Sequence, residues 1–120
     1  MAKTLADFVC EAQARVRTIS VEEFDEMIEN HDDVLVVDVR EAEEFHRGHI
    51  PGALLIPRGI LESAADTNRP TRVDKLCGAR DWTIIVCSQN NARSALAADT
   101  LQQMGFQKVY LLVGGIDRWE

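Results

Sequence analysis

Cysteine is scarce in this chain of 120 residues: Cys10, Cys77 and Cys87 are widely spaced, and none forms a CxxC pair. An odd count at that spacing excludes a disulfide framework and a thiolate zinc site, and it implies free thiols in a reduced compartment. No apolar run approaches the ~18 residues that a membrane span needs. The opening MAKTLADFVCEAQAR lacks the long apolar core and small-residue cleavage site of a secretory signal. The expectation is a soluble, cytoplasmic protein. Basic residues are also in deficit, with 13 Lys and Arg against 20 Asp and Glu for a net charge of −7. Nucleic acid and anionic membrane are therefore poor partners, and a site for an anion must build its own positive field. Repeats and low-complexity segments are missing too. What remains is an ordinary globular composition, 46% hydrophobic and 28% charged, in one chain able to bury roughly two thirds of its unfolded surface.

The apolar pattern alternates between helix and strand. Leu5, Phe8, Val9, Ala12 and Val16 form a helical stripe over residues 5–17. Ser20 and Glu23 have the spacing of a capping box, and Val21, Phe24 and Ile28 continue that helix to about Asn30. Val34 to Val37 is a β-branched run of the kind covered on both faces of a parallel sheet. A short helical stretch through Phe45 follows, then a turn at His49 to Gly52, a short strand over Ala53 to Ile56 and helical spacing from Arg58 to Ala65. Thr83 to Val86 is a further strand. A helix is expected over 94–104 with Gly105 as its C-terminal glycine, and Val109 to Leu112 is the last clear strand. The alternation predicts an α/β fold: a parallel sheet with helices on both faces, and ligands bound off the carboxyl ends of the strands.

Cys87 sits at such an end, in IIVCSQNNARSALAAD. A thiol with a reference pKa of ~8.5 reacts as its thiolate, so a nucleophilic cysteine needs its pKa lowered. Three features could do so: the free amides and partial charge at the N-terminus of the following helix, inward-turned N–H groups of Ser88, Gln89, Asn90, Asn91 and Ala92, and the charge of Arg93. A cation at a helix N-terminus is unfavourable alone, so Arg93 asks for an anionic partner. Strand, cysteine, amide cradle and helix together suggest an anion-handling nucleophile.

The chain resembles the single-domain rhodanese-like sulfurtransferases over nearly its whole length. The likeness rests on Val36-Val37-Asp38-Val39-Arg40, Glu44-Phe45, Gly48-His49-Ile50-Pro51-Gly52-Ala53, Ile56-Pro57, the Cys87 loop with Arg93-Ser94-Ala95-Leu96, Gly114-Gly115 and Trp119. It implies a three-layer sandwich around about five parallel strands, with residues 1–18 as a helical extension and 19–120 as the rhodanese-like domain. It also implies a Cys87 persulfide, loaded by an anionic donor such as thiosulfate and unloaded to cyanide, a thiol or a sulfur-relay protein, without cofactor or metal. One departure keeps other readings open. The family usually has four residues between cysteine and arginine, commonly with a glycine midway; here there are five and no glycine. Five is the spacing of rhodanese-fold phosphatases of the cell-division-cycle type and of related arsenate reductases, although Val86 stands where those phosphatases carry histidine. An oxyanion enzyme and a catalytically weak binding module remain alternatives.

Plainer roles are expected around the site. Asp38 and Arg40 read as structural support, ion-paired to fix the next loop, with Glu44 as a plausible partner. His49 reads as a structural turn residue, and the acidic run Glu41 to Glu44 as a solvated helix face. Gly114-Gly115 reads as a point of close backbone passage, and Arg58 as a candidate wall of the substrate entrance. Cys77 is expected to be a bystander in a loop, and Cys10 and Trp82 to be packed.

Overall fold

The computed structural model describes residues 1–31 and 33–120. Five parallel strands form one sheet: β1 (Arg17–Ile19), β2 (Val34–Asp38), β3 (Leu54–Leu55), β4 (Thr83–Cys87) and β5 (Lys108–Leu112). Their spatial order is β1-β5-β4-β2-β3, which puts β4 at the centre. The α/β expectation holds. The fifth strand is the one that apolar runs do not announce. Of β1's three residues only Ile19 is buried, and its pairing with Tyr110, Leu111 and Leu112 is non-local.

Alternation along the strands sorts side chains into two cores. Ile84 and Val86 of β4, with Leu35 and Val37 of β2, face helices α4 (Leu61–Ala65), α5 (Asp74–Cys77) and α6 (Ala92–Gln103), where Leu61, Leu76, Ala98 and Leu101 meet them. Ile85 and Cys87 face the opposite layer, α2 (Val21–Asn30) and α7 (Gly115–Trp119), among Val21, Phe24 and Ile116. Cys87 is thus the final residue of an apolar ladder, which largely decides its environment.

The capping box at α2 forms as the spacing predicts: Ser20 accepts from the amide of Glu23, and Glu23 from that of Ser20. Gly105, at φ +96°, closes α6, with Phe106 N–H bonded to Leu101 O and Gly105 N–H to Gln102 O, a Schellman pair. Helix α1 (Leu5–Gln13) is shorter than its stripe suggested, and Ala12 packs against Ala95 of α6 and Leu111 of β5. Arg15 donates to both carboxylate oxygens of Asp99 at 3.1 and 3.0 Å. Leu5, Phe8 and Cys10 are exposed, so Cys10 is not core. Trp82 is also exposed rather than packed, in the turn before β4. Cys77 ends helix α5 instead of lying in a loop, and its thiol reaches Ala64 O at 3.4 Å.

Candidate active site

The site forms where β2 and β4 end side by side, with Asp38 opposite Cys87 in the register. Val39 N–H donates to Cys87 O at 3.0 Å, so the two strand ends are stitched together just before both chains turn away. Helix α6 begins at Ala92, two residues earlier than the pattern implied, because Asn91 serves as its N-cap and Asn90 Oδ1 accepts the Ala92 amide at 3.0 Å. The loop proper is therefore only Ser88 to Asn91, and Arg93 sits in the first turn of α6.

The loop's carbonyl side is clasped. Ser88 O accepts from Ile116 N–H at 2.9 Å and Gln89 O from Asp117 N–H at 3.0 Å, while Asn91 Oδ1 accepts from Gly114 N–H at 2.7 Å. The approach needs Gly115: at φ +59°, a Cβ there would lie 2.7 Å from Asn90 O and 2.9 Å from Gln89 O, and would overlap Ser88 O. The close passage expected of Gly114-Gly115 is thus a clamp on the cysteine loop itself. Inside the loop, the Ser88 hydroxyl donates to Asn90 O at 2.9 Å and accepts from the Ser94 amide at 3.0 Å. Among the described residues, the amides of Gln89, Asn90, Asn91 and Arg93 donate to no protein acceptor.

Two arginine–carboxylate pairs flank this loop. The guanidinium of Arg40 lies along Asp38, with Nε donating at 3.0 and 3.1 Å and Nη2 at 2.8 Å. Arg40 also donates to Gly48 O at 2.9 Å and to Gln89 Oε1 at 3.1 Å, while Gln89 Nε2 donates to Asp117 Oδ1 at 2.7 Å. Asp38 and Arg40 are therefore paired to each other and tied to the loop, and Glu44 is not Arg40's partner. Glu44 instead lies in α3 (Ala42–His46) and accepts both arms of Arg93, at 2.7 and 2.8 Å. This is the anion that a cation in the first turn of a helix required. The Arg93 bonds hold the Glu44 carboxyl at about 2, against an ordinary value of 4.5.

Cys87 departs from the activated thiol that was expected. Its side chain is fully buried among Val36, Ile50, Ile85 and Ile116. Burial pushes its pKa up, the Asp38 carboxylate adds to the rise, and Arg40 opposes both to a lesser extent. Burial and the neighbouring carboxylate thus favour the thiol over the thiolate in this structure. The physical reason is the strand alternation: the last rung of β4 points into the layer under α2 and α7. Beside the loop lies a polar cavity of about 290 Å³, lined by Arg40, Glu44, Arg47, Gly48, Gln89 and Glu120.

Arg58 is not brought into this group. Its Nη1 pairs with Glu62 at 2.9 Å and its Nη2 donates to Thr100 Oγ1 at 3.2 Å, which tethers the side chain to α4 and α6. His49 is structural, as expected: Nδ1 lies 2.9 Å from Phe45 O and the ring stacks on Phe45 at 3.6 Å between centroids. Among the described residues, no group of three or more His, Cys, Asp or Glu side chains is placed to hold a metal ion. Nor is any helix long and apolar enough to cross a membrane. The residue that sequence reasoning misplaced is Glu44, expected beside Asp38 and Arg40; the unmatched charge of Arg93 at a helix start was the signal for its actual partner.

Comparison with known proteins agrees with this architecture. The pattern of the Rhodanese-like domain matches residues 20–120. The chain is 32% identical over 104 residues to a protein named sulfurtransferase in Allochromatium vinosum, covering 87% of this chain and 88% of that one. It is also 32% identical over 109 residues to a Bacillus subtilis protein provisionally named a sulfur carrier protein, covering 91% of this chain but 54% of that one. The chain thus spans only about half of that relative's length. A solved structure from Rhodopseudomonas palustris, described as a protein of unknown function and possible tyrosine phosphatase, superposes with a TM-score of 0.91 at 28% identity, covering 99% of this chain and 90% of that one. With its sheet order, its loop off the central strand and a match over most of its length, the chain belongs to the rhodanese-like domain family.

Proposed function

We propose that this protein is a sulfurtransferase that carries a sulfane sulfur as a persulfide on Cys87. The observation that supports it best is the placement of Cys87 at the carboxyl end of the central strand, directly before a loop with several unpaired amides, with Arg40 bonded to that loop at Gln89 and Arg93 in the helix turn that follows it. In the first step the Cys87 thiolate attacks the outer sulfur of thiosulfate. The sulfur–sulfur bond of the donor breaks, sulfite leaves with the electron pair, and a cysteine persulfide remains. In the second step a thiolate or cyanide attacks the outer persulfide sulfur and Cys87 is restored as thiolate. Amides of Gln89, Asn90 and Asn91 would hold the negative sulfur, and Arg93 the oxyanion head of the donor.

The buried thiol makes the closed form a resting state, so loading must begin with movement of the loop and loss of the thiol proton. A free thiol suits a reducing compartment such as the cytoplasm, and the Bacillus subtilis relative makes a sulfur-relay protein a reasonable acceptor. Incubation with thiosulfate, followed by intact-mass measurement, tests this reading: wild type should gain one sulfur atom and Cys87→Ser none.

A second reading has its own support. Five residues between Cys87 and Arg93, and the close superposition on the Rhodopseudomonas palustris structure, favour oxyanion chemistry at the same loop. It predicts turnover of an aryl phosphate, or arsenate reduction that needs a second thiol. Silence in these assays and in the thiosulfate test, from a folded protein, would favour the weak binding module, in keeping with the sealed thiol.

A further inference from the structure

Both terminal nitrogens of Arg93, in the helix turn that follows the cysteine loop, are already occupied. Glu44 takes both with its two oxygens, in the bidentate geometry a guanidinium offers to a carboxylate or to a tetrahedral oxyanion. The pair is not locked in the core: the side chains retain 21% and 35% of their exposure. Glu44 also has somewhere to go. It lines the polar cavity on the α3 side, whose wall includes Arg40 and Arg47, so a displaced carboxylate would remain near positive charge. Its own helix is held without Arg93, because Glu44 Oε1 also accepts the Glu41 amide at 3.0 Å in a capping box.

From this contact we infer that Glu44 is an internal competitor for the anion site: its carboxylate occupies the face of Arg93 that a substrate's oxyanion head would take. A ligand must displace it, which favours divalent tetrahedral anions over monoanions and leaves Arg93 satisfied when the site is empty. The inference rests on the reading of Cys87 to Arg93 as an anion-handling loop, and it adds the residue that sets the affinity threshold of that loop. Apparent affinity is reduced by the fraction of molecules in which Glu44 holds Arg93, and removing the competitor removes that reduction.

Sulfate binding to the full chain, followed by calorimetry, reads this contest without any chemistry. Glu44→Gln keeps an acceptor oxygen for the Glu41 amide while losing the charge; Glu44→Asp keeps the charge but shortens the reach, and serves if the first variant does not fold. Either should tighten sulfate about fivefold. The gain should vanish when Arg93 is also replaced by Met, because the competition is for that guanidinium. Unchanged affinity in the Glu44 variants would overturn the inference. So would an equal gain with and without Arg93, since a general loss of negative field would then suffice. Intact mass after thiosulfate separates this result from the function itself. Tighter sulfate without sulfur gain supports Glu44 as competitor and rejects the sulfurtransferase, whereas sulfur gain with unchanged sulfate affinity does the reverse.

Discussion

The two arginine–carboxylate pairs that border the Cys87 loop have the same chemistry and different surroundings. Asp38–Arg40 is almost sealed, with 0% and 2% of the side chains exposed, and its guanidinium is shared with Gly48 O and Gln89. Glu44–Arg93 is shorter in its bonds but partly wet, and no other protein acceptor among the described residues shares Arg93's arms. Losing one member of the buried pair strands a charge in low dielectric; losing one member of the wet pair leaves a charge that water can solvate. Burial and sharing therefore make the first pair a scaffold for the loop, and partial exposure makes the second a contact that can exchange partners.

Arg40→Met should produce the largest effect, about 3–5 kcal/mol of lost stability in urea denaturation, because Asp38 would be left buried and unpaired. A loss below about 1 kcal/mol would erase the distinction between the pairs. Gly115→Ala probes the other anchor of the loop. Its Cβ has no space against three loop carbonyls, and about 2–4 kcal/mol should be lost by the same assay. Arg93→Met should cost stability only about 1 kcal/mol or less while weakening sulfate binding severely; a large stability loss would put this pair in the scaffold as well.

The smallest expected effect is an acid limb. Glu44 is depressed from 4.5 to about 2 when folded, so its contribution is complete above pH 4.5 and fades as pH falls toward 2. The stability difference between wild type and Glu44→Gln, about 1 kcal/mol after solvent screening, should therefore shrink across that window. A difference that stays constant from neutral pH to pH 2 would show that the charge of Glu44 does not bear on the fold.

Much of the architecture was readable because it rests on local, repeated signals. The β-branched runs at Val34 and Thr83 became central strands buried on both faces. Ser20–Glu23 and Gly105 punctuated their helices by short-range hydrogen bonds. What local pattern does not carry is pairing across the chain. Strand β1 exists through its edge contact with β5, Glu44 and Arg93 meet across 49 positions, and Arg58 turned toward Thr100, 42 positions away. The state of Cys87 was the hardest to foresee. Charge and dipole around the loop argued for a lowered pKa, yet the alternation that continues from Ile85 carries the thiol into apolar surroundings, and desolvation outweighs Arg40.

That conflict puts the weight of the account on whether the buried thiol can be loaded at all. Intact-mass spectrometry of the full chain after exposure to thiosulfate asks this most directly. A gain of one sulfur atom, reversed by cyanide and absent from Cys87→Ser, is the predicted result; a folded wild-type protein whose mass does not change with any sulfane donor would contradict it.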